Sequence, residues 1–265
     1  MPRFAANLSM LFTEVPLLER FERAARAGFT CVEVQFPYEV PAQDLRHRLL
    51  ANRLKMVLLN LPAGDRAAGD LGIACHPGRV AEFRDGLPKA IAYAKALGVP
   101  QVNCLAGKSP AGVDEALVRK TFVENLRFAA KALQAEGMKL LIEPINSFDV
   151  PGFWLNRTPL AISVLDEVDA ENAFVQFDVY HAQRQEGDLA NTLARHVARI
   201  AHVQVADNPG RHEPGTGEIN FGFLFAHLTR IGYAGHIGCE YIPAAGTENG
   251  LPWLEHARRK LRLAY

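Results

Sequence analysis

The sequence has no excess of either charge. Its 265 residues include 29 Lys and Arg against 29 Asp and Glu, which gives a formal net charge of zero. Proteins that follow a nucleic-acid backbone normally present a basic surface, so this balance disfavours DNA or RNA as a partner. Small-molecule substrates and protein partners stay open, and a homo-oligomer is compatible with the sequence.

Long apolar segments and closely spaced cysteine pairs are also missing. No segment approaches the roughly 20 apolar residues that a membrane helix needs, and polar residues interrupt the short apolar stretch near the N-terminus. The cysteines show neither disulfide-type nor metal-type spacing. They are Cys31, Cys75, Cys104 and Cys239. We therefore expect a soluble cytoplasmic protein that has no membrane partner.

What the sequence does contain is an alternation of strand-like and helix-like segments, repeated eight times. The strand-like runs are nearly continuous apolar stretches, which is typical of parallel strands buried on both faces. They cover residues 4–9, 31–35, 56–60, 101–105, 139–145, 174–178, 200–205 and 235–240. Eight repeats within 265 residues favour a (β/α)₈ TIM barrel over an open doubly wound sheet. Nothing marks a linker, so we predict one α/β domain over residues 1–265.

The helix boundaries follow from proline, glycine and capping residues. The first helix is predicted to begin at Pro16 in the N1 position and to end at Gly28. Another is predicted between Asp114 and Gly137. A helix that ends at Gly98 contains Pro88, which predicts either a kink or a late start.

The loops are unequal in length. Segments that follow strands are long (61–78, 146–157 and 206–220), whereas those that precede strands are short, such as 98–100. In a TIM barrel the long loops rise from the carboxyl ends of the strands, where active sites lie. The sequence PGTGE at 214–218 is reminiscent of a phosphate-binding loop, but no Gly-rich helix start follows it. We expect a lid or a turn there.

Four consecutive strands, the fifth to the eighth, carry an oxygen-bearing side chain near their carboxyl ends. These are Glu143, Asp178, Gln204 and Glu240. Buried carboxylates that repel one another require a compensating positive charge, and a divalent cation supplies it. An all-oxygen set favours Mg²⁺ or Mn²⁺ over Zn²⁺. The set predicts one metal ion at the barrel mouth.

At these residues the sequence resembles the hydroxypyruvate isomerase family, which includes the 2-oxo-tetronate isomerases, among the xylose-isomerase-like TIM barrels. The segments that carry the resemblance extend over nearly the whole chain. They include FAANLSMLFTE, LNLPAGDRAAGDLGIACHPGR, CLAGKSPAG, LIEPINSFDVPGF, FDVYHAQRQEGD, VADNPGRHEPGTGEIN and GCEYIP. The resemblance implies that Glu143 and Glu240 are both metal ligands and the catalytic acid/base pair. Asp178 and Gln204 complete the implied coordination.

The implied substrate is a small hydroxy/oxo acid. Related sugar epimerases use a His three residues after the Asp, which matches His181, and an Arg in the loop after the seventh strand, for which Arg211 is the candidate. The substrate carboxylate requires a cation at the rim, and Lys108 and Arg66 are further candidates. Asn60, at the end of the third strand, is a candidate hydrogen-bond donor to the substrate.

Several functions stay open. The isomerase could act on hydroxypyruvate, giving tartronate semialdehyde, or on the longer 2-oxo-tetronate, giving its 3-oxo isomer, and a hydride shift competes with proton transfer through an enediolate. Gln204 stands where the epimerases carry His, which argues against a ketose 3-epimerase. An apurinic-site endonuclease needs a His-rich multi-zinc cluster and a basic groove. A non-catalytic sugar-acid binding module would not need the ligands.

Overall fold

Eight parallel strands follow one another around a closed barrel in chain order, and the first pairs with the last. The structure is a computed structural model that describes residues 3–263, so positions 1–2 and 264–265 of the predicted domain lie outside the described residues. The strands are β1 Arg3–Asn7, β2 Cys31–Glu33, β3 Lys55–Asn60, β4 Gln101–Cys104, β5 Lys139–Ile142, β6 Ala173–Asp178, β7 Ile200–Val205 and β8 His236–Cys239. This arrangement confirms the predicted TIM barrel.

Helices cover the outside of the barrel between successive strands. They are α1 Leu17–Arg26, α2 Ala42–Ala51, α3 Val80–Leu97, α4 Glu115–Gln134, α5 Thr158–Val168, α6 Val179–Gln185, α7 Leu189–His196, α8 Phe221–Arg230, α9 Thr247–Gly250 and α10 Pro252–Leu263. Among the described residues, none of these helices combines the length and the apolar character needed to cross a membrane.

The barrel interior has an apolar lower layer and a polar upper layer. Ala5, Cys31 and Leu141 belong to one small buried cluster. Side chains alternate along a strand, so the residues two positions further on point the same way. Those positions are occupied by Asn7, Glu33 and Glu143, which are buried as well. These three strands therefore deliver polar groups into the interior toward their carboxyl ends.

The helices depart from the expectations based on proline at two positions. Pro16 is the N-cap of α1, so the helix begins at Leu17, one residue later than predicted. Helix α3 begins at Val80 and continues through Pro88, so the late start does not occur. Leu87 and Ala90 on either side of the proline are buried, and this packing outweighs the loss of one backbone hydrogen bond.

The predicted inequality of the loops is present. Short connections such as 98–100 enter the strands, whereas long segments such as 143–157 and 206–220 leave them. Strand β5 ends at Ile142, three residues earlier than predicted, and β8 ends at Cys239, one residue earlier, so Glu143 and Glu240 are the first residues of their loops. All long loops therefore rise around one mouth.

Candidate active site

Three buried side chains come together at the carboxyl end of β5 and β6. Glu143 follows β5, Asp178 is the last residue of β6, and His181 lies in the first turn of α6. One potential ligand atom from each lies within 4.8 Å of the others. We call these three residues, together with Glu240, the mouth cluster.

Asp178 has one anchored and one unpartnered carboxylate oxygen. Its Oδ1 accepts the backbone N–H of His181 at 3.0 Å and so caps α6. Its Oδ2 is buried and receives no hydrogen bond from any residue that the structure describes. A buried carboxylate oxygen in this state carries a large desolvation cost, which a bound cation would offset.

Glu143 is held by two amide donors on a single oxygen. The amide nitrogens of Asn103 and Gln176 donate to Oε2 at 2.8 and 2.9 Å, so Oε1 is the oxygen that remains for a ligand. Burial raises the pKa of Glu143 well above its ordinary value, and the nearby charges of Glu240 and Asp178 raise it further. A positive charge in the mouth favours the ionised form of the group.

Glu240 is held from three sides. Gln204 Nε2 and Asn7 Nδ2 donate to its Oε2 at 2.6 and 2.9 Å, and Arg211 Nη2 donates to its Oε1 at 3.0 Å. Burial raises the pKa of Glu240 to about 8, although the Arg211 charge acts in the opposite direction. The group can therefore gain or lose a proton near neutral pH.

The Gln204 amide joins the two glutamates. Its Oε1 accepts from Gln176 at 2.6 Å, and Gln176 also donates to Glu143. An amide oxygen has two lone pairs, so one remains available for a further bond. The carboxylates of Glu143, Asp178 and Glu240 and the Gln204 amide suit a hard divalent cation. Asp178 Oδ2 is the oxygen that lacks a partner and that such a cation would contact.

His181 and Arg211 lie side by side at the mouth. Arg211 Nη2 is 3.5 Å from His181 Nε2, and its guanidinium lies over the Tyr180 ring at 5.3 Å. Burial lowers the pKa of His181 to about 4, so its imidazole is neutral at physiological pH. The structure thus brings together both residues that the resemblance assigned to the substrate.

The other predicted substrate contacts have different surroundings. Asn60 ends β3, is buried, and has an Oδ1 that accepts no hydrogen bond from the described residues. Lys108 and Arg66 are exposed on their loops, with the Arg66 guanidinium 4.3 Å from the Phe36 ring centroid. The two cations lie outside the buried cluster, and their role in binding the substrate stays a prediction.

A further buried carboxylate, Glu33 at the end of β2, was not identified from the sequence. Asn7 Nδ2 and Gln204 Nε2 donate to its Oε1 at 2.9 and 2.8 Å, and His202 Nε2 lies 2.8 Å from its Oε2. Gln101 Nε2 contacts the other ring nitrogen of His202 at 3.1 Å. We call Asn7, Glu33, Gln101 and His202 the Glu33 cluster. A Glu within the apolar run CVEVQF was the signal for it.

The loop after β7 is organised by Asp207. Its carboxylate accepts the backbone N–H groups of Gly215, Gly217 and Ile219 at 2.8 to 3.0 Å. The two glycine amides therefore bind a side chain of the same loop, and the predicted turn at 214–218 is confirmed. This turn holds the segment from which Arg211 reaches the mouth.

Comparison with known proteins identifies the family. The family model described as xylose isomerase-like TIM barrel matches residues 21–257. The chain belongs to this family. It is 53% identical to a hydroxypyruvate isomerase of Escherichia coli (strain K12), over 97% of this chain and 100% of that protein. It is 50% identical to a 2-oxo-tetronate isomerase of Cupriavidus necator, over 96% of this chain and 98% of the relative.

A solved structure extends the likeness to three dimensions. A protein from Brucella melitensis, described as an AP endonuclease of family 2, superposes with a TM-score of 0.95 at 43% identity, over 97% of this chain and 99% of the other. The two relatives named above, which match over nearly their full length, are both isomerases. The present chain is an isomerase as well. The resemblance that the motifs carried is thereby confirmed.

Proposed function

We propose that this isomerase interconverts the keto and aldehyde forms of a small hydroxy/oxo acid, with hydroxypyruvate as the preferred substrate and 2-oxo-tetronate as the alternative. The observation that carries the proposal is the pair of buried glutamates, Glu143 and Glu240. Each follows a different strand of the same mouth and is held on Oε2 by amide donors. Relatives named for hydroxypyruvate and for 2-oxo-tetronate support this pair of substrates without deciding between them.

The proposed cofactor is one divalent cation, Mg²⁺ or Mn²⁺, held by Glu143, Asp178, Gln204 and Glu240. Their donor atoms are all oxygens, the type that these ions prefer. When bound, such an ion polarises the substrate carbonyl and makes the adjacent C–H more acidic. The unpartnered Oδ2 of Asp178 and the free lone pair of Gln204 Oε1 support this set.

In the proposed reaction one glutamate takes a proton from one carbon and the other glutamate gives a proton to the adjacent carbon. One carboxylate removes a proton from the CH₂OH carbon of hydroxypyruvate, and the resulting enediolate takes a proton on the former carbonyl carbon from the other carboxyl group. The hydroxyl proton moves from the first oxygen to the second, which gives 2-hydroxy-3-oxopropanoate. A group with a pKa near the working pH suits both steps, and burial moves the pKa of Glu240 to about 8.

Arg211 is the cation best placed for the acid. Its guanidinium is permanently charged, and a hydrogen bond to Glu240 orients it. Exposed Lys108 and Arg66 would attract the substrate carboxylate from the rim. The partner of this site is therefore a small anion, and the zero net charge does not favour a nucleic acid. Four buried free cysteines fit a reducing cytoplasm.

Endonuclease activity is the second candidate, because the Brucella melitensis structure carries that description. Within residues 3–263 one group of three potential His, Cys, Asp or Glu ligands was found, namely Glu143, Asp178 and His181. A multi-zinc phosphodiesterase centre would need several such groups. The isomerase is therefore the better fit.

The test is an assay of purified protein with hydroxypyruvate and 2-oxo-tetronate side by side, before and after EDTA, with Mg²⁺ or Mn²⁺ added back. We expect turnover of at least one acid, lost on chelation and restored by metal. In D₂O, proton transfer should place deuterium on the carbon that becomes protonated, whereas a hydride shift retains the original hydrogen. Turnover of neither acid, together with cleavage of abasic DNA, would reject the isomerase.

A further inference from the structure

The orientation of the Asn146 side chain is fixed by its neighbours. Asn146 is fully buried, and its Oδ1 accepts the backbone N–H groups of Phe148 and Asp149 at 3.1 and 2.8 Å. Its Nδ2 donates to the Asp149 carboxylate at 3.1 Å. A flipped amide would turn its NH₂ toward two N–H donors and its oxygen toward a carboxylate. The contacts therefore permit one orientation.

Asn146 in turn determines the proton position on His181. The second hydrogen of its Nδ2 points at His181 Nδ1, with the two nitrogens 2.6 Å apart. Since Nδ2 can only donate, Nδ1 must accept and carries no hydrogen. Arg211 Nη2 also faces the ring, but it is 3.5 Å from Nε2, so the shorter contact to Asn146 decides which nitrogen accepts. A neutral imidazole has one N–H, and the ring proton therefore lies on Nε2.

The support for this arrangement extends one layer further. The Asp149 carboxylate that orients Asn146 accepts the Tyr180 hydroxyl at 2.8 Å and lies 3.3 Å from the Arg184 guanidinium. Both partners belong to α6, the helix that also carries His181. The loop after β5 and helix α6 are thus joined by a continuous set of hydrogen bonds behind the imidazole.

We propose that Asn146 is a positioning residue that holds the ring proton of His181 on Nε2, so that His181 faces the mouth as a hydrogen-bond donor and not as a metal ligand. Its Nδ1 lone pair is used by Asn146, and its Nε2 lone pair is occupied by the proton. The donor set of the cation then consists of oxygens. By distance His181 could bind the same ion as Glu143 and Asp178. Its hydrogen bond with Asn146 leaves it without a free nitrogen lone pair for that ion.

The consequence concerns the substrate, and this step rests on the proposed function. His181 Nε2–H and Arg211 Nη2 are two donors 3.5 Å apart. An oxygen of the acid in contact with both would receive two hydrogen bonds, which strengthen as negative charge develops on that oxygen in the enediolate. Donors arranged in this way stabilise a developing oxyanion.

The decisive measurement is the ¹⁵N–¹H spectrum of purified protein that carries ring-labelled histidine, with and without Mg²⁺. His181 is identified among the nine histidines by its loss in His181→Asn. We expect a proton on Nε2 and a bare Nδ1 in both states. A proton on Nδ1, or loss of the Nε2 proton when Mg²⁺ binds, would overturn the proposal without any variant of Asn146 being needed.

A matched pair of variants tests the role of Asn146. In Asn146→Asp the new carboxylate can only accept, so the proton should appear on Nδ1, and kcat/KM for the isomerised acid should fall on the order of 100-fold. Asn220→Asp adds the same charge at the exposed N-cap of α8 and should change neither the spectrum nor kcat/KM. An unchanged proton position in Asn146→Asp contradicts the positioning role.

The two proposals can fail separately. If neither acid is turned over but the Nε2 proton is found, the proposed substrate is wrong and the positioning role stands. If the spectrum of Asn146→Asp changes but kcat/KM does not, His181 is not a donor to the reacting oxygen.

Discussion

Glu33 and Asp178 are both buried carboxylates in the same barrel interior, but their oxygens have different surroundings. Glu33 receives donors on both oxygens, from Asn7, Gln204 and His202. Asp178 has an oxygen that no described residue contacts by a hydrogen bond. A carboxylate that the protein satisfies itself supports the architecture, whereas one left partly bare is available for a ligand.

The two clusters are connected through amides. Gln204 and Asn7 each donate to Glu33 and to Glu240 with one nitrogen. The Glu33 cluster therefore orients side chains that reach into the mouth cluster. This connection predicts that damage to the mouth cluster stops catalysis with little loss of stability, and that damage to the Glu33 cluster affects stability first.

The largest expected effect is on the proposed acid/base pair, Glu143 and Glu240. Glu143→Gln and Glu240→Gln keep the shape of each side chain but remove its ability to exchange a proton, so each should lower kcat about 100- to 10,000-fold. The free energy of unfolding in urea should change little in comparison. Glu171→Gln, at an exposed position before β6, serves as the control. Substantial activity in either variant would remove that residue from the acid/base role.

Metal binding should stabilise the fold in a pH-dependent manner. In metal-free protein the pKa of Glu240 is raised from 4.5 to about 8, so its contribution to stability is complete below pH 4.5 and is lost as the pH rises through 8. A cation replaces the proton, and its stabilising effect should therefore grow over the same range. At 100 times Kd it reaches about 3 kcal/mol. Urea midpoints with EDTA or Mg²⁺ measure this, and an effect independent of pH would contradict it.

A substitution in the Glu33 cluster should lower stability more than catalysis, which is the reverse of the effect expected in the mouth cluster. Glu33→Gln places an NH₂ against N–H donors and should lower the free energy of unfolding by about 2 kcal/mol. Catalysis should fall less than in Glu143→Gln, because Asn7 and Gln204 still reach Glu240. Glu39→Gln on the exposed surface is the control in urea denaturation. A fully stable Glu33→Gln variant that has lost turnover would reverse the assignment of the two clusters.

The smallest effect is expected at the rim. Lys108→Ala and Arg66→Ala each remove an exposed charge, whose interaction with a substrate carboxylate is worth up to about 1 kcal/mol, so KM should rise by no more than about fivefold. The effect should shrink as salt is added. Initial rates at two ionic strengths measure it. A salt-independent loss of kcat in either variant would place that residue inside the reacting site.

The fold was predictable because its signals are local. Apolar runs that alternate with amphipathic segments repeat eight times, and glycines such as Gly28 and Gly98 mark the helix ends, with φ of +78° and +68°. The late start that Pro88 could have imposed on α3 does not occur, because the buried residues on either side of it favour a continuous helix. Neighbouring helices and strands determine that packing, and their contacts are remote in the sequence.

The candidate site was predictable in part. Glu143 and Asp178 were identified because each follows an apolar strand, and Glu33 has the same signal. The sequence indicates that such an acid is buried, but it does not show which donors reach it. His202 approaches Glu33 from 169 positions away, and Asn146 reaches His181 over 35 positions. Whether a buried acid is satisfied or open depends on these distant partners.

The central claim is that Glu143, Asp178, Gln204 and Glu240 share one divalent cation. Crystals of the purified protein soaked in Mn²⁺, with diffraction recorded at the manganese absorption edge, test it directly. We predict a single anomalous peak in contact with oxygens of these four side chains, with the His181 nitrogens outside the coordination shell. A peak bound by His181 or beside Glu33, or no peak in the mouth at saturating Mn²⁺, would contradict the account.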